Sequence, residues 1–214
     1  MENYIFQTRN LVFQDKIYYN DISIPANKVN FIVGRSGSGK STLLRMLNGT
    51  LSQSSGEIFY KGTNLAQLDT IELRKKVSLI SQSVYLFDLN IRDNFRMFYN
   101  YRNMPSPSDD VIRKYLELCN ISFPLDKDCT TMSGGERQRV YIAIFLSFLP
   151  KVLMMDEPTS ALDKESSQIV IGNVLNFCKE QGITVIIISH DGSLTKEFAE
   201  NIIKIGKNPI LFLL

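Results

Sequence analysis

The stretch Gly34-Arg-Ser-Gly-Ser-Gly-Lys-Ser41 constrains the fold more than any other part of the chain. It satisfies G-x-x-x-x-G-K-[ST], the pattern of a phosphate-binding loop, at every specified position. Gly34, Gly37 and Gly39 let the backbone pass through conformations that a Cβ would block, so that successive N–H groups converge on one anion. Lys40 brings a point charge to the β- and γ-phosphates of a nucleotide, and Ser41 places a hydroxyl on Mg²⁺. The helix that starts here aims its N-terminal partial charge at the same phosphates. The candidate phosphate-binding residues are thus Gly34, Arg35, Ser36, Gly37, Ser38, Gly39, Lys40, Ser41 and Thr42. Such a string arises by chance in roughly one chain in a hundred of this length. Its setting narrows that further. Phe31-Ile-Val33 upstream reads as a buried strand, and Thr42–Leu47 downstream spaces its apolar residues as a helix does. A glycine- and serine-rich surface turn would need neither neighbour.

The loop alone leaves kinases, GTPases, motors and transport ATPases open. A length of 214 residues suits one domain, or one large domain with two lobes, and 44% hydrophobic residues is enough to bury a core. A net charge of +2 is too weak to argue for nucleic acid or an anionic membrane surface. Cys119, Cys129 and Cys178 form no C-x-x-C pair and read as small core or surface residues of a reducing compartment. The first residues lack the pattern of a secretory signal, and the longest apolar runs, Tyr141–Leu149 and Val185–Ile188, are far too short to span a bilayer. A soluble, cytosolic chain is the expectation.

From Tyr4 to Ile24 the loose alternation predicts an antiparallel hairpin ahead of the core strand. Phe13, with Tyr18 second, is the candidate for stacking on a flat base, against ordinary core packing of a strand aromatic. Ser54-Ser-Gly56 reads as a turn, Glu57–Tyr60 with Lys61-Gly62 as a short strand pair, and Lys76–Ile80 as a strand that delivers Gln82. Gln82 is then either a turn residue or a ligand contact at a strand end. Residues 84–130 read as an inserted helical lobe. Its rings Phe87, Phe95, Phe98, Tyr99 and Tyr101 form either a partner surface or the lobe's own core.

A second glycine-rich site follows at Met132-Ser-Gly-Gly-Glu136. Ser133 can cap the helix after it, while Gly134 and Gly135 allow close approach to an anion. One nucleotide needs only one such loop. Val152–Met155 reads as a buried strand closed by Asp156-Glu157, and two adjacent carboxylates there make sense if Mg²⁺ and a water are near. Asp156 would orient the hydrated metal opposite Ser41, and Glu157 would polarise the attacking water. Ser160-Ala-Leu-Asp163 starts a helix toward Cys178, and Thr184–Ile188 delivers His190, the chain's single histidine, to the same end of the sheet. Ile202–Ile205 and Ile210–Leu214 read as edge strands, and the apolar end at Leu214 is the pattern of a chain clipped short.

Taken together, GRSGSGKS at 34–41, Gln82, MSGGE at 132–136, VLMMDE at 152–157, SALD at 160–163 and His190 resemble the ATP-binding cassette (ABC) ATPases across nearly the whole chain. Met132 stands where the family usually has leucine and Glu136 where it usually has glutamine. The resemblance implies an α/β fold: a P-loop NTPase core with a mostly parallel, RecA-like sheet, an antiparallel β subdomain, and an inserted α-helical subdomain. The expected division is residues 1–82 and 150–214 for the core with its β subdomain, and 83–149 for the helical subdomain carrying the signature motif. It further implies ATP and Mg²⁺ as cofactors, with Glu157, His190 and Gln82 catalytic, and Ser41, Gln82 and Asp156 at the metal. Phe13 would stack on adenine. Ser133, Gly134, Gly135 and Glu136 would act as a signature reaching a partner's nucleotide, and Asp163 would be the D-loop residue of the dimer. The implied partners are a second copy in a head-to-tail dimer and a separate membrane permease, at the cytoplasmic face of the membrane. A soluble cassette working on DNA or ribosomes is the alternative. The chain has one P-loop, no heptad run and no basic stripe, so no nucleic-acid partner is expected. A P-loop kinase leaves Ser133–Glu136 without a purpose.

Overall fold

The computed structural model describes residues 3–206. Its ten strands fall into two sheets. The first is antiparallel and holds β1 (Tyr4–Phe13), β2 (Ile17–Tyr18), β3 (Ser23–Pro25), β5 (Ser55–Tyr60) and β6 (Thr63–Asn64). The expected hairpin is β1 with β2. β1 also pairs with β3 and runs beside β5, with a register shift between Arg9 and Val12. Ser55 and Gly56 therefore belong to a strand, not to the turn their composition predicts.

The second sheet is parallel throughout, in the order β10 (Asn201–Lys204), β4 (Val29–Val33), β9 (Thr184–Ile188), β8 (Val152–Asp156), β7 (Val77–Ile80). Every residue of β8 and β9 is buried. Burial on both faces is what lets these strands read as continuous apolar runs. Alternate residues feed two cores. Val185 and Ile187 join one, while Ile186 and Ile188 join the other.

On one face lie α1 (Lys40–Leu47), α2 (Thr70–Lys76) and the antiparallel sheet. The other face is covered by α3 (Ile91–Tyr101), α4 (Asp109–Leu118), α5 (Gly134–Ser147), α6 (Lys164–Glu180) and α7 (Gly192–Phe198). The chain between β7 and β8 carries α3, α4 and α5. Lys76 ends α2 instead of opening β7, and α6 begins at Lys164, so Ser160–Leu162 form a turn that Asp163 closes as the helix cap. β10 is the expected edge strand; Ile210–Leu214 lie outside the described residues.

The aromatic cluster divides ring by ring. Phe95 and Tyr99 are core, and the Tyr99 hydroxyl donates to the Ser147 carbonyl at 3.0 Å. Phe87, Phe98 and Tyr101 instead line a surface groove with Tyr85 and Phe145. Arg102, capping α3, stacks on Phe148 at 3.9 Å and donates to the Arg74 carbonyl and to Ser78 Oγ on β7. Burial lowers its pKa to about 10, leaving it cationic at neutral pH. The three cysteines are buried in the core, one of the two placements the sequence leaves open.

Candidate functional site

Because β4, β7, β8 and β9 run parallel, their carboxyl ends open on one edge of the sheet, the usual place for a ligand in an α/β fold. β4 delivers the glycine-rich loop, β7 delivers Gln82, β8 ends in Asp156 and Glu157, and β9 leads to His190. Gln82 and Glu157, 75 positions apart along the chain, meet there.

Gly39 and Gly37 sit in left-handed backbone at φ 93° and 73°, which a Cβ disfavours. Gly34 is different. Its φ is ordinary, but a Cβ would lie 2.3 Å from the Ile205 carbonyl oxygen, so close packing against the end of β10 excludes a side chain there. α1 starts on Gly39 with no side-chain cap and no acidic residue in its first turn. Every other described α-helix begins on a capping side chain: Asp69, Asn90, Ser108, Ser133, Asp163 or Asp191. The first N–H groups of a helix have no partner inside it, so the start of α1 presents bare donors and positive potential. Lys40 is buried, and its ammonium donates to the carbonyls of Gly34 and Arg35, each at 3.0 Å. Ser38 is also buried, and its Oγ has no partner among the described residues.

Glu157 is held in left-handed backbone at φ 51°, a costly state for a residue with a side chain. Its N–H donates to the Ile188 carbonyl at 2.9 Å. One carboxylate oxygen lies 3.0 Å from His190 Nε2, and the other accepts from Gln82 Nε2 at 3.4 Å. Beside it, Asp156 is buried, and its Oδ1 has no partner among the described residues. A buried carboxylate oxygen left unpaired is costly unless something charged meets it. Together with the Ser41 hydroxyl, the donor set is hard oxygen, which fits Mg²⁺.

The second glycine-rich start behaves otherwise. Ser133 and Glu136 form a reciprocal capping box on α5, with Glu136 Oε2 accepting from the Ser133 N–H at 2.8 Å. A Cβ on Gly135 would meet the Ala161 carbonyl oxygen at 2.8 Å, so within this chain Gly135 serves close contact with the Ser160–Asp163 turn. Asp163 itself caps α6 by accepting from the Ser166 N–H. Phe13 is half-buried and pairs with Ile17 across β1 and β2, and Ile17 abuts Gly39. Tyr18 sits instead by β10, in a groove with Ile203 and Lys204.

Comparison with known proteins gives these features a common origin. The profile of the ABC transporter family matches residues 20–160. The chain belongs to the ABC transporter family. It is an ATP-binding, ATP-hydrolysing cassette, and the soluble DNA or ribosome alternative is not favoured. The phosphonates import ATP-binding protein PhnC of Wolinella succinogenes is 33% identical, over 92% of this chain and 78% of that one. The glutamine transport ATP-binding protein GlnQ of Bacillus subtilis is 34% identical, over 89% and 81%. Among solved structures, cbiO1 of Clostridium perfringens, part of the ABC transporter complex cbiONQ, superposes with a TM-score of 0.81 at 29% identity, over 95% of this chain and 85% of that one.

The cassette also uses residues that no motif marks. The Tyr19 hydroxyl, buried beneath the loop, donates to the Gly39 carbonyl at 2.8 Å, and desolvation raises its pKa. Gln138 is buried behind Glu157. Its place one turn into the helix after MSGGE is the only signal the sequence held for it. No described helix is long and apolar enough to cross a membrane.

Proposed function

We propose that this cassette powers transport by pairing head-to-tail with a second copy, each nucleotide bound between the loop of one copy and the Ser133–Glu136 signature of the other. Phosphates would be held by Gly34 through Thr42, with Lys40 turning its ammonium outward to them. Asp156, Ser41 and Gln82 would hold Mg²⁺, which supplies charge neutralisation at the transferring phosphoryl group. Glu157 takes the proton of the attacking water. Gln82 fixes its carboxylate, and the His190 N–H at that carboxylate would swing to the γ-phosphate when nucleotide binds. Phe13, in the hairpin whose Ile17 abuts Gly39, would stack on adenine, and Asp163 would face the partner cassette.

The single observation that carries this reading is the clasp on Glu157: a carboxylate on strained backbone, held between His190 and Gln82, next to an Asp156 oxygen with no partner among the described residues. Hydrolysis at Glu157 would release the dimer, and the opening would move whatever sits in the aromatic groove of Tyr85, Phe87, Phe98 and Tyr101. That occupant would be a short cytoplasmic helix of a separate permease, and the cassette would then sit on the cytoplasmic face of a membrane. Residues 83–149 would form the moving helical subdomain, against a core of 1–82 and 150–214. Relatives named for phosphonate import and glutamine transport, and one from a transporter complex, support this assembly.

Glu157→Gln tests it. Steady-state turnover should fall roughly 10²–10⁴-fold, the usual share of a general base, while Mg-ATP binding persists and size exclusion shows an ATP-dependent dimer. Normal turnover in that variant removes Glu157 from its role.

A further inference from the structure

Gln138 is polar, only 1% exposed, and set in the second turn of α5. Its Nε2 donates to the Glu157 carbonyl at 3.4 Å, and its Oε1 accepts from the Ala161 N–H at 3.2 Å. The two partners fix the orientation of the amide, because a carbonyl only accepts and a backbone N–H only donates. Glu157 is therefore gripped on both sides of its left-handed backbone: its N–H by the end of β9, its carbonyl by α5. Such a conformation persists only where the surroundings over-determine it. One turn earlier on the same face of α5, Gly135 packs against the Ala161 carbonyl and Leu162. The first turns of the signature helix thus lie along the whole segment from Glu157 to Leu162.

We infer that Gln138 is a positioning residue that ties the signature loop of a chain to the Glu157 carboxylate of that same chain. The inference rests on the proposed role of Glu157 as base. In the proposed dimer the signature loop meets the partner's nucleotide, whereas Glu157 serves the nucleotide on its own Lys40. The buried amide then reports the state of one site to the base of the other. It acts through backbone placement and touches no reacting atom.

The test is Gln138→Met, which keeps the volume and removes both hydrogen bonds, measured beside Glu157→Gln. Expected is a fall in kcat of roughly 10- to 100-fold, the scale of a small misplacement of a reacting group. KM for ATP should stay within about threefold, since ground-state binding is untouched. The Hill coefficient for ATP should drop toward one, and ATP-dependent dimerisation in a Gln138→Met, Glu157→Gln double variant should be retained. If Gln138→Met fails to bind Mg-ATP, Gln138→Asn, which withdraws the amide by one methylene, takes its place with the same expectations. Unchanged kcat, or a kcat that falls only in step with ATP affinity and dimerisation, overturns the inference. If Glu157→Gln is inert while Gln138→Met is fully active, only the positioning role fails. If Glu157→Gln turns over normally, the assignment of the base fails and the inference with it.

Discussion

Replacing Gly34 and Gly37 by alanine, one at a time, separates two reasons for glycine inside one loop. At Gly37 the backbone is left-handed, but a Cβ would find nothing within 4 Å. Alanine there pays the left-handed penalty of about 1–2 kcal/mol and recovers about 0.4–1 kcal/mol by stiffening the unfolded chain. The net loss is about 1 kcal/mol. At Gly34 the Cβ would sit 2.3 Å from the Ile205 carbonyl oxygen and 3.3 Å from its carbon. Both obstacles are backbone, and the Ile205 N–H is itself bonded to the Val33 carbonyl at 2.8 Å, so no side chain can swing aside. Overpacking of this kind costs about 1–3 kcal/mol, and so short a contact belongs at the upper end, for a net loss of about 2–3 kcal/mol. In urea unfolding with a slope of about 2 kcal/mol/M, Gly34→Ala should therefore melt close to 1 M below Gly37→Ala. Equal midpoints, or Gly37→Ala as the weaker protein, would refute the account of Gly34 as a packing glycine.

Ser133→Arg should abolish ATP-dependent dimerisation while the monomer still binds Mg-ATP, as read by size exclusion beside a nucleotide-binding titration; an unaltered dimer would contradict a shared site. Tyr19→Phe should cost about 1 kcal/mol in urea unfolding, the net value of one hydrogen bond, because the Gly39 carbonyl keeps its second donor, the Leu43 N–H at 2.9 Å. Burial pushes the Cys119 and Cys178 thiols up to about 12 and Cys129 up to about 11. Iodoacetamide at pH 8 should therefore label the native chain at least about a hundredfold more slowly than the urea-unfolded one. The sign for stability follows: the folded chain keeps these thiols neutral, so their contribution is full below the unfolded pKa near 9 and fades as pH climbs toward 11–12.

Most of the site was legible because it is built from strand ends. β8 and β9 announce themselves as apolar runs, and whatever polar residue leaves such a run at the shared edge, Asp156, Glu157 or His190, stands out against them. Tyr19 and Gln138 carried no such contrast. One is an aromatic in a hairpin and the other a polar residue in a polar stretch, and each works through hydrogen bonds to backbone far away in sequence. Periodicity holds no trace of those bonds. Ser54-Ser-Gly56 misled because residues typical of turns also suit the start of a strand beside a register shift. In SALD the acceptor Asp163 closes the turn, and only Lys164 begins the helix. Phe13 and Tyr18 stand first and second as ring candidates in the sequence, and the fold puts one beside Ile17 and the other by β10.

The resting posture of Lys40 carries one more consequence. Its ammonium leans on two carbonyls of its own loop, so the chain stores this charge without leaving it bare in a buried place. Any anion that recruits it must outbid a pair of neutral dipoles already in contact. A polyphosphate, with several charged oxygens arriving together, clears that threshold, whereas a lone weak anion gains little from the exchange. Engaging the lysine therefore favours a ligand that brings several charged oxygens at once.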